Sequence, residues 1–317
     1  MKKLTLNETA DFLLSHDHYA ILTHRRPDGD TLGSSAALCR ILRNLGKTAH
    51  ILRNEETTDR FAWLHEGLTK EEAGADDCLV TVDVASPGML GPAFEPYLGR
   101  IALRIDHHAS GTSFTEQELV EPGMGSCAEI IFDLLQALWQ EFDPAIADAI
   151  YVGVSTDTGC FRFANTTAHT FVTAAACAAA GARVYQLNQE LFETNTLGRL
   201  KIQSWIVEHM DIFAGGRLAV VAIPRAVEEA IGVTEDDMDN ISSFPRSISG
   251  VCMAATLRQT REEEAKLSVR AIPGHDATVI AGKFGGGGHK GAAGATLKMA
   301  LDDAAEAVKN AMLEKYE

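Results

Sequence analysis

The chain has little of what duplex nucleic-acid binding, membrane insertion or thiol chemistry requires. Its 317 residues carry 28 Lys and Arg against 44 Asp and Glu, a formal net charge of −16. That balance excludes the positive footprint that long duplex nucleic acid demands, but not the binding of short anionic substrates. No apolar run approaches the roughly 20 residues that span a bilayer, so no membrane partner is expected. The opening Met1-Lys-Lys-Leu-Thr-Leu-Asn-Glu does not read as a secretory signal, because Asn7, Glu8 and Asp11 interrupt any apolar core. A cytoplasmic protein is the expectation. Six cysteines (Cys39, Cys78, Cys127, Cys160, Cys177, Cys252) are scattered without a C-x-x-C pair. A zinc–cysteine site therefore has no support, and reduced, buried thiols are expected. Internal repeats and low-complexity linkers are also missing.

What is present suits a two-domain globular chain. Hydrophobic content of 46% and charged content of 23% are ordinary, and the length exceeds what one core usually fills. Residues 20–23, 49–52, 79–82 and 101–105 are short continuous apolar runs, the pattern of a parallel sheet covered on both faces. Helical periodicity at 33–45, 126–139, 145–153 and 167–180 alternates with them, and Thr5 with Glu8 reads as a capping box. The fold class expected is α/β: a doubly wound parallel-sheet domain over residues 1–187, a connecting helix over 188–211, and a smaller α/β domain over 212–317. In that last part, strands are expected at 218–223, 251–257, 266–271 and 292–298, with a final helix over 301–315.

The chemistry concentrates at strand ends. Asp106-His107-His108 closes an apolar run, Asp83 follows another, and His24, Asp28 and Asp30 follow a third. Asp157 sits in Ser155-Thr-Asp-Thr-Gly159. A single aspartate after a strand is usually a turn residue or a helix cap. Three strand ends carrying such groups are not, because ligands of open α/β sheets gather outside the carboxyl ends of the strands. Imidazoles mixed with carboxylates suit Mn2+ best, with Mg2+, Co2+ or Fe2+ as alternatives. Two dications bridged by one carboxylate can hold a phosphate between them and acidify a water, so no serine or cysteine nucleophile is needed. Gly29 and Gly33 read as a tight turn that lets the backbone approach this site.

A second motif, Phe284-Gly-Gly-Gly-Gly-His289-Lys-Gly291, offers backbone N–H groups to an anion through Gly286, Gly287 and Gly288, with His289 and Lys290 adding charge. A flexible turn before a strand is the alternative. Arg270 could reach the same anion through its fork of donors, or could be an ordinary surface ion pair. The segment Phe161-Arg-Phe-Ala-Asn165 reads equally as the lining of a base pocket or as aromatic core. Arg25 and Arg26 read equally as phosphate contacts or as solvated surface.

These motifs resemble those of the DHH/DHHA1 phosphoesterase superfamily in order and spacing over essentially the whole chain. His24-x-x-x-Asp28-x-Asp30 resembles its first motif, Asp83 its second, Asp106–His108 its third and Asp157 its fourth. Gly286-Gly-Gly-His289 resembles the DHHA1 signature. The compact layout is most similar to the nanoRNase/pAp phosphatase (NrnA-like) group. The resemblance implies an active site in the cleft between the domains. It implies that His24, Asp28 and Asp83 hold one metal, and that Asp30, Asp83, His107 and Asp157 hold the other. It makes His108 the contact to the scissile phosphate or a proton carrier, with Asp106 orienting the histidines. Arg270, Gly286–Gly288 and His289 become the substrate-binding residues. The implied reaction is hydrolysis of short single-stranded RNA to mononucleotides and of 3′-phosphoadenosine 5′-phosphate to AMP. A cyclic-di-AMP or linear pApA phosphodiesterase is the alternative, and a homodimer is implied by the resemblance only. A long-strand exonuclease would want a basic groove and further modules, and an inorganic pyrophosphatase lacks the glycine-rich histidine motif.

Overall fold

The computed structural model describes residues 2–238 and 240–316. They divide into two compact units, Met1–Thr194 and Asn195–Glu317.

In the first unit seven parallel strands form one sheet: β1 (Lys2–Lys3), β2 (Tyr19–Leu22), β3 (Ala49–Leu52), β4 (Thr69–Lys70), β5 (Cys78–Val82), β6 (Ile101–Asp106) and β7 (Gln117–Val120). Their spatial order is β1-β7-β6-β5-β2-β3-β4, with parallel pairing throughout. The chain winds outward from β2 through β3 to β4, then returns and winds the other way from β5. The reversal falls between β2 and β5, where such sheets open a crevice at their carboxyl edge.

Both faces are buried, as the apolar runs require. Tyr19, Ile21, Val80 and Ile105 pack under helices, while the alternate residues Ala20, Leu22 and Leu79 pack against Leu90, Phe94 and Ile101. The helices are α1 (Leu6–Ser15), α2 (Gly29–Asn44), α3 (Asp59–Ala62), α4 (Cys127–Ala137), α5 (Pro144–Asp157), α6 (Ala168–Ala179) and α7 (Val184–Asn188). The second face is covered by short 3-10 segments, Pro87–Met89 and Pro92–Arg100, whose prolines prevent a continuous helix. Caps set the helix starts: the Thr5–Glu8 box opens α1, Asp28 caps α2, Ser126 caps α4 and Asp143 before Pro144 caps α5.

Two differences from the sequence reading matter for the site. Helix α2 begins at Gly29, not at residue 33, and α5 runs on to Asp157, so Asp30 and Asp157 are helical. The glycines expected to form a turn instead permit a close helix crossing. A Cβ on Gly33 would lie 2.3 Å from the Ala149 carbonyl oxygen, and one on Gly29 2.4 Å from Thr156 Oγ1. A Cβ on Gly153 would meet Ala128 Cβ at 2.5 Å and Asp30 Oδ1 at 2.8 Å.

The second unit carries a six-stranded mixed sheet of order β12-β13-β11-β10-β9-β8. Its strands are β8 (Asp211–Phe213), β9 (Leu218–Ile223), β10 (Met253–Arg261), β11 (Glu264–Ala271), β12 (Gly287–His289) and β13 (Ala292–Leu297). Only β9 and β10 run parallel. Its helices are α8 (Leu197–His209), α9 (Arg225–Ile231), α10 (Ala277–Lys283) and α11 (Leu301–Tyr316). Helices α10 and α11 cover the face bearing Met253, Leu267 and Val269, while Ile202 and Ile206 of α8 pack on Val221 and Ile223 of the opposite face. The expected connecting helix is broken: a π turn over Gln189–Glu193 ends before Thr196, whose Oγ1 accepts from Arg199 N and opens α8.

The crossing of α2 and α5 predicts a cost for added volume. Gly153→Ala should destabilise by about 1–3 kcal/mol in urea unfolding, through overpacking against α4 and Asp30. An unchanged midpoint would show that the helices have room to part.

Candidate metal centre

Every expected residue of the first unit reaches one edge of the sheet, around the reversal between β2 and β5. His24 lies two residues past β2, Asp83 immediately follows β5, and Asp106 is the last residue of β6. Asp28 caps α2, its Oδ1 accepting from Asp30 N at 3.0 Å and Thr31 N at 3.2 Å. Asp30 is buried beneath the start of α4. Its two carboxylate oxygens accept from Cys127 N at 2.7 Å and Ala128 N at 2.9 Å, where a helix N-terminus favours negative charge. Asp83 takes a left-handed conformation, φ 58°, which aspartate tolerates better than most residues. Its amide donates to Ile105 O at 2.9 Å and pins the turn to β6.

The side chains form sets linked through Asp83 and His107. His24 Nε2 lies 3.7 Å from Asp28 Oδ1 and 3.6 Å from Asp83 Oδ2. His107 Nε2 lies 3.5 Å from Asp83 Oδ1, 3.8 Å from Asp30 Oδ2 and 3.6 Å from Asp157 Oδ2. His24, Asp28 and Asp83 make one group able to hold a cation, and Asp30, His107 and Asp157 make another. Asp83 joins His107 and His108 in a third.

The donor chemistry fits dications. Donors about 2.1 Å from a shared ion, at about 90–110° to one another, are themselves about 3.0–3.4 Å apart. The observed separations are a few tenths wider, so a small inward movement would close the sets. His24 Nδ1 meets Arg25 O at 2.8 Å and His107 Nδ1 meets Met124 O at 3.2 Å. A carbonyl only accepts, so each Nδ1 keeps its proton, and Nε2 is the nitrogen that faces the carboxylates and would ligate a cation on losing its own proton. Asp83 Oδ1 is buried without a hydrogen-bond donor, an orphan that a cation would satisfy.

His108 is held differently. Its Nδ1 lies 2.7 Å from Asp106 Oδ1, and Arg104 donates to the other Asp106 oxygen. Arg104 Nη1 continues to Glu118 Oε2 at 3.4 Å, and Ser113 Oγ donates to both Glu118 oxygens. This buried chain fixes the His108 ring and leaves its Nε2 for other contacts.

Electrostatics explain why the site asks for positive charge. Burial, reinforced by the neighbouring Asp30 carboxylate, raises Asp83 well above the ordinary carboxylate range. Burial and Asp30 push Asp157 up to about 7. Burial opposes charge on the histidines but loses: Asp28 and Asp83 raise His24 to about 11, while Asp30, Asp83 and Asp157 raise His107 to about 9. Asp106 goes the other way; burial opposes ionisation, but His108 and Arg104 outweigh it and lower its pKa.

The sequence reading missed Arg104 and Glu118, because an arginine inside an apolar strand and a glutamate on the four-residue strand β7 carry no signal until paired. Asn165 was read as a pocket lining or core. Its amide instead donates to Gly125 O at 2.8 Å, Asp157 O at 3.1 Å and Asp157 Oδ2 at 3.3 Å, orienting that carboxylate. The half-buried Phe161 stacks on the exposed Phe171, 5.5 Å between ring centres, so this pair lies at the surface and not in the core. Arg26 faces Glu56 at 3.6 Å.

The remaining expected residues belong to the second unit. Gly287, Gly288 and His289 are edge strand β12, not a free loop. Close backbone pairing explains two of the glycines: a Cβ on Gly286 would lie 2.1 Å from Gly294 O, and Gly288 has φ 143°. Arg270, Ala292 and His289 are register partners across three adjacent strands and so share a face.

Family models match both units: the N-terminal domain of the DHH family over residues 18–154 and the DHHA1 domain over residues 215–314. A Thermus thermophilus protein, bifunctional oligoribonuclease and PAP phosphatase NrnA, is 36% identical over 93% of this chain and 89% of its own. The chain belongs to the DHH/DHHA1 family. It is therefore a hydrolase of phosphoester bonds. Among solved structures, an exopolyphosphatase-related protein from Bacteroides fragilis superposes with a TM-score of 0.88 at 21% identity, over 98% of this chain and 96% of that one. RecJ from Thermus thermophilus, solved with Mn2+, gives a TM-score of 0.55 at 17% identity, over 98% of this chain and 54% of that one. No helix among the described residues is long and apolar enough to cross a membrane.

The DHH site should couple protons to cations. His107 and His24 hold protons in the fold to about 9 and about 11, above the ordinary 6.5, so their contribution to stability is present at neutral pH and lost as pH rises through 9. Asp157, raised from 3.8 to about 7, acts in the same direction at lower pH: its cost builds as pH rises from about 4 to 7 and changes little beyond that. Melting of the metal-stripped protein should therefore fall from pH 7 to 9. Mn2+ should release protons on binding, bind tighter across that window and reverse the fall. Calorimetry in buffers of different ionisation enthalpy reads the protons; no release would contradict the protonation described.

Proposed function

We propose that this chain is a metal-dependent phosphoesterase that hydrolyses short single-stranded oligoribonucleotides to mononucleotides and 3′-phosphoadenosine 5′-phosphate to AMP. The observation that carries this reading is the gathering of His24, Asp28 and Asp83 in one group and of Asp30, His107 and Asp157 in another, with Asp83 Oδ1 3.5 Å from His107 Nε2. It occurs in a chain similar along its length to a protein named for those two activities. Manganese in the solved RecJ supports Mn2+ as the metal, with Mg2+ or Co2+ as substitutes.

In this reading His24, Asp28 and Asp83 hold one dication, and Asp30, Asp83, His107 and Asp157 hold the other, so the unit 1–187 is catalytic. Bound dications would supply Lewis-acid charge and a water of lowered pKa. The chain's own groups do the rest. Asp106, locked by Arg104, holds His108 through Nδ1 and orients Nε2, which with a second proton would donate to a phosphate oxygen or give that proton to the leaving sugar oxygen as its bond to phosphorus breaks. Arg270, His289 and the glycines Gly286, Gly287 and Gly288, in the unit 212–317, anchor the substrate by a second phosphate or by its backbone. A surplus of 16 negative charges disfavours long nucleic acid, which would have to cross repulsive surface.

Asp83→Asn should reduce turnover more than about a hundredfold while leaving the metal-stripped protein as stable or more so, since asparagine also tolerates the left-handed backbone and a buried like charge is removed. His289→Ala should raise KM with kcat nearly intact. Arg104→Met should weaken Mn2+ binding or turnover by about 10–100-fold through the slackened Asp106–His108 pair. A panel of two- to five-nucleotide RNAs, the adenosine bisphosphate, cyclic di-AMP and linear pApA, each with Mn2+ and Mg2+, tests the substrate class. Hydrolysis confined to the cyclic dinucleotide or pApA would replace this reading with the phosphodiesterase alternative.

A further inference from the structure

On β11, side chains alternate between the face packed by α10 and α11, which takes Leu267 and Val269, and the opposite face, which carries Ser268 and Arg270. On that opposite face Arg270 is aligned with Ala254 of β10 and Ala292 of β13. A shallow depression of about 420 Å3 lies beside it, lined by Ser268, Gly287, Gly294 and Thr296 as well as Arg270 itself. The small residues leave space over β11 and β13 that no helix fills.

Two short turns border this face. Ile241–Ser243 packs against β10 and β11, and Pro245–Ser247 packs against β9 and β10. The second turn carries Arg246, and Ile248 just after it packs on Ala219 and Ala254, the latter being the β10 residue aligned with Arg270. Half-burial depresses the Arg270 pKa, and the Arg246 charge depresses it further, so Arg246 lies within electrostatic range of Arg270. Among the described residues neither has a carboxylate partner; Arg270 Nη1 donates to its neighbour Val269 O at 3.2 Å. This is no shortage of acids, since the chain has 44 of them. Arg258, on β10 of the same sheet, is paired with Glu228 at 2.9 Å and Glu235 at 3.1 Å. Two arginines brought together without an acid repel each other unless an anion completes the site, and paired guanidinium forks match the oxygens of a phosphate.

We propose that Arg246 and Arg270 together clamp one phosphate group of the nucleotide substrate, with Arg246 as a further specificity-determining residue. This rests on the phosphoesterase reading for the identity of the ligand. The clamp sits in the second unit, and its anion binding needs no metal, so it can be read apart from turnover.

The test is calorimetric titration of the full chain in EDTA with adenosine 3′,5′-bisphosphate, and with adenosine as control. Arg246→Gln and Arg246→Ala should each weaken bisphosphate binding about tenfold or more, with Arg246→Lys between them and wild type. Adenosine binding should not change. Without ligand, Arg246→Gln should melt at or above the wild-type temperature, because a repulsion is relieved; an arginine with a merely structural role would lower it. With Mn2+, the same variant should raise KM for the bisphosphate about tenfold and hold kcat within about twofold. Bisphosphate binding equal to wild type in Arg246→Gln, or no detectable binding by wild type, would overturn the clamp. Binding that depends on Arg246 in a protein that hydrolyses neither RNA nor the bisphosphate would spare the clamp and sink the function. Turnover indifferent to Arg246→Gln would do the opposite.

Discussion

The structure depends on keeping several carboxylates together at one buried sheet edge. Asp83 bears the heaviest part of that constraint: it is buried, one of its oxygens lacks a donor, and Asp30 and Asp28 add like charge. Nothing in the fold cancels that repulsion completely. The start of α4 supplies two amides to Asp30, and His24 and His107 supply positive charge only by holding protons above their ordinary range. Such an arrangement is adapted to a guest with two positive charges. The left-handed Asp83 turn, the glycine crossing of α2 with α5 and the Arg104–Asp106–His108 chain all hold those groups where the guest would need them.

Much of this was legible in the sequence because the metal-seeking groups follow the ends of apolar runs. A continuous run of four or five buried residues marks a parallel strand, and the fold then carries its end to the common edge. That logic reached His24, Asp83 and Asp106–His108. It placed Asp30 and Asp157 less well, since both are helical and owe their positions to α2 meeting α5. Gly29 and Gly33 looked like turn glycines because a run of Gly, Asp and Pro usually punctuates the chain. Their function became visible only once Ala149 and Thr156 stood opposite them.

What the sequence could not show is pairing between residues far apart in the chain. Glu118 has no meaning without Arg104, nor Asn165 without Asp157. The edge strands β1, β4 and β12 escaped notice for a related reason: two or three residues, polar or glycine, have no periodicity to detect. The four-glycine motif illustrates the ambiguity. Its flexibility suggested a loop, yet Gly286 and Gly288 are glycine because two strand backbones meet closely there. The same run ends at His289, so a backbone requirement and a side chain on the face shared with Arg270 coexist within a few residues.

Diffraction from crystals soaked in MnCl2, collected at the manganese absorption edge, tests the central claim most directly. The account predicts anomalous peaks within coordination distance of the Asp83 carboxylate, one toward His24 and Asp28 and one toward His107, Asp30 and Asp157. Peaks elsewhere on this acidic surface, with none at Asp83, would contradict it.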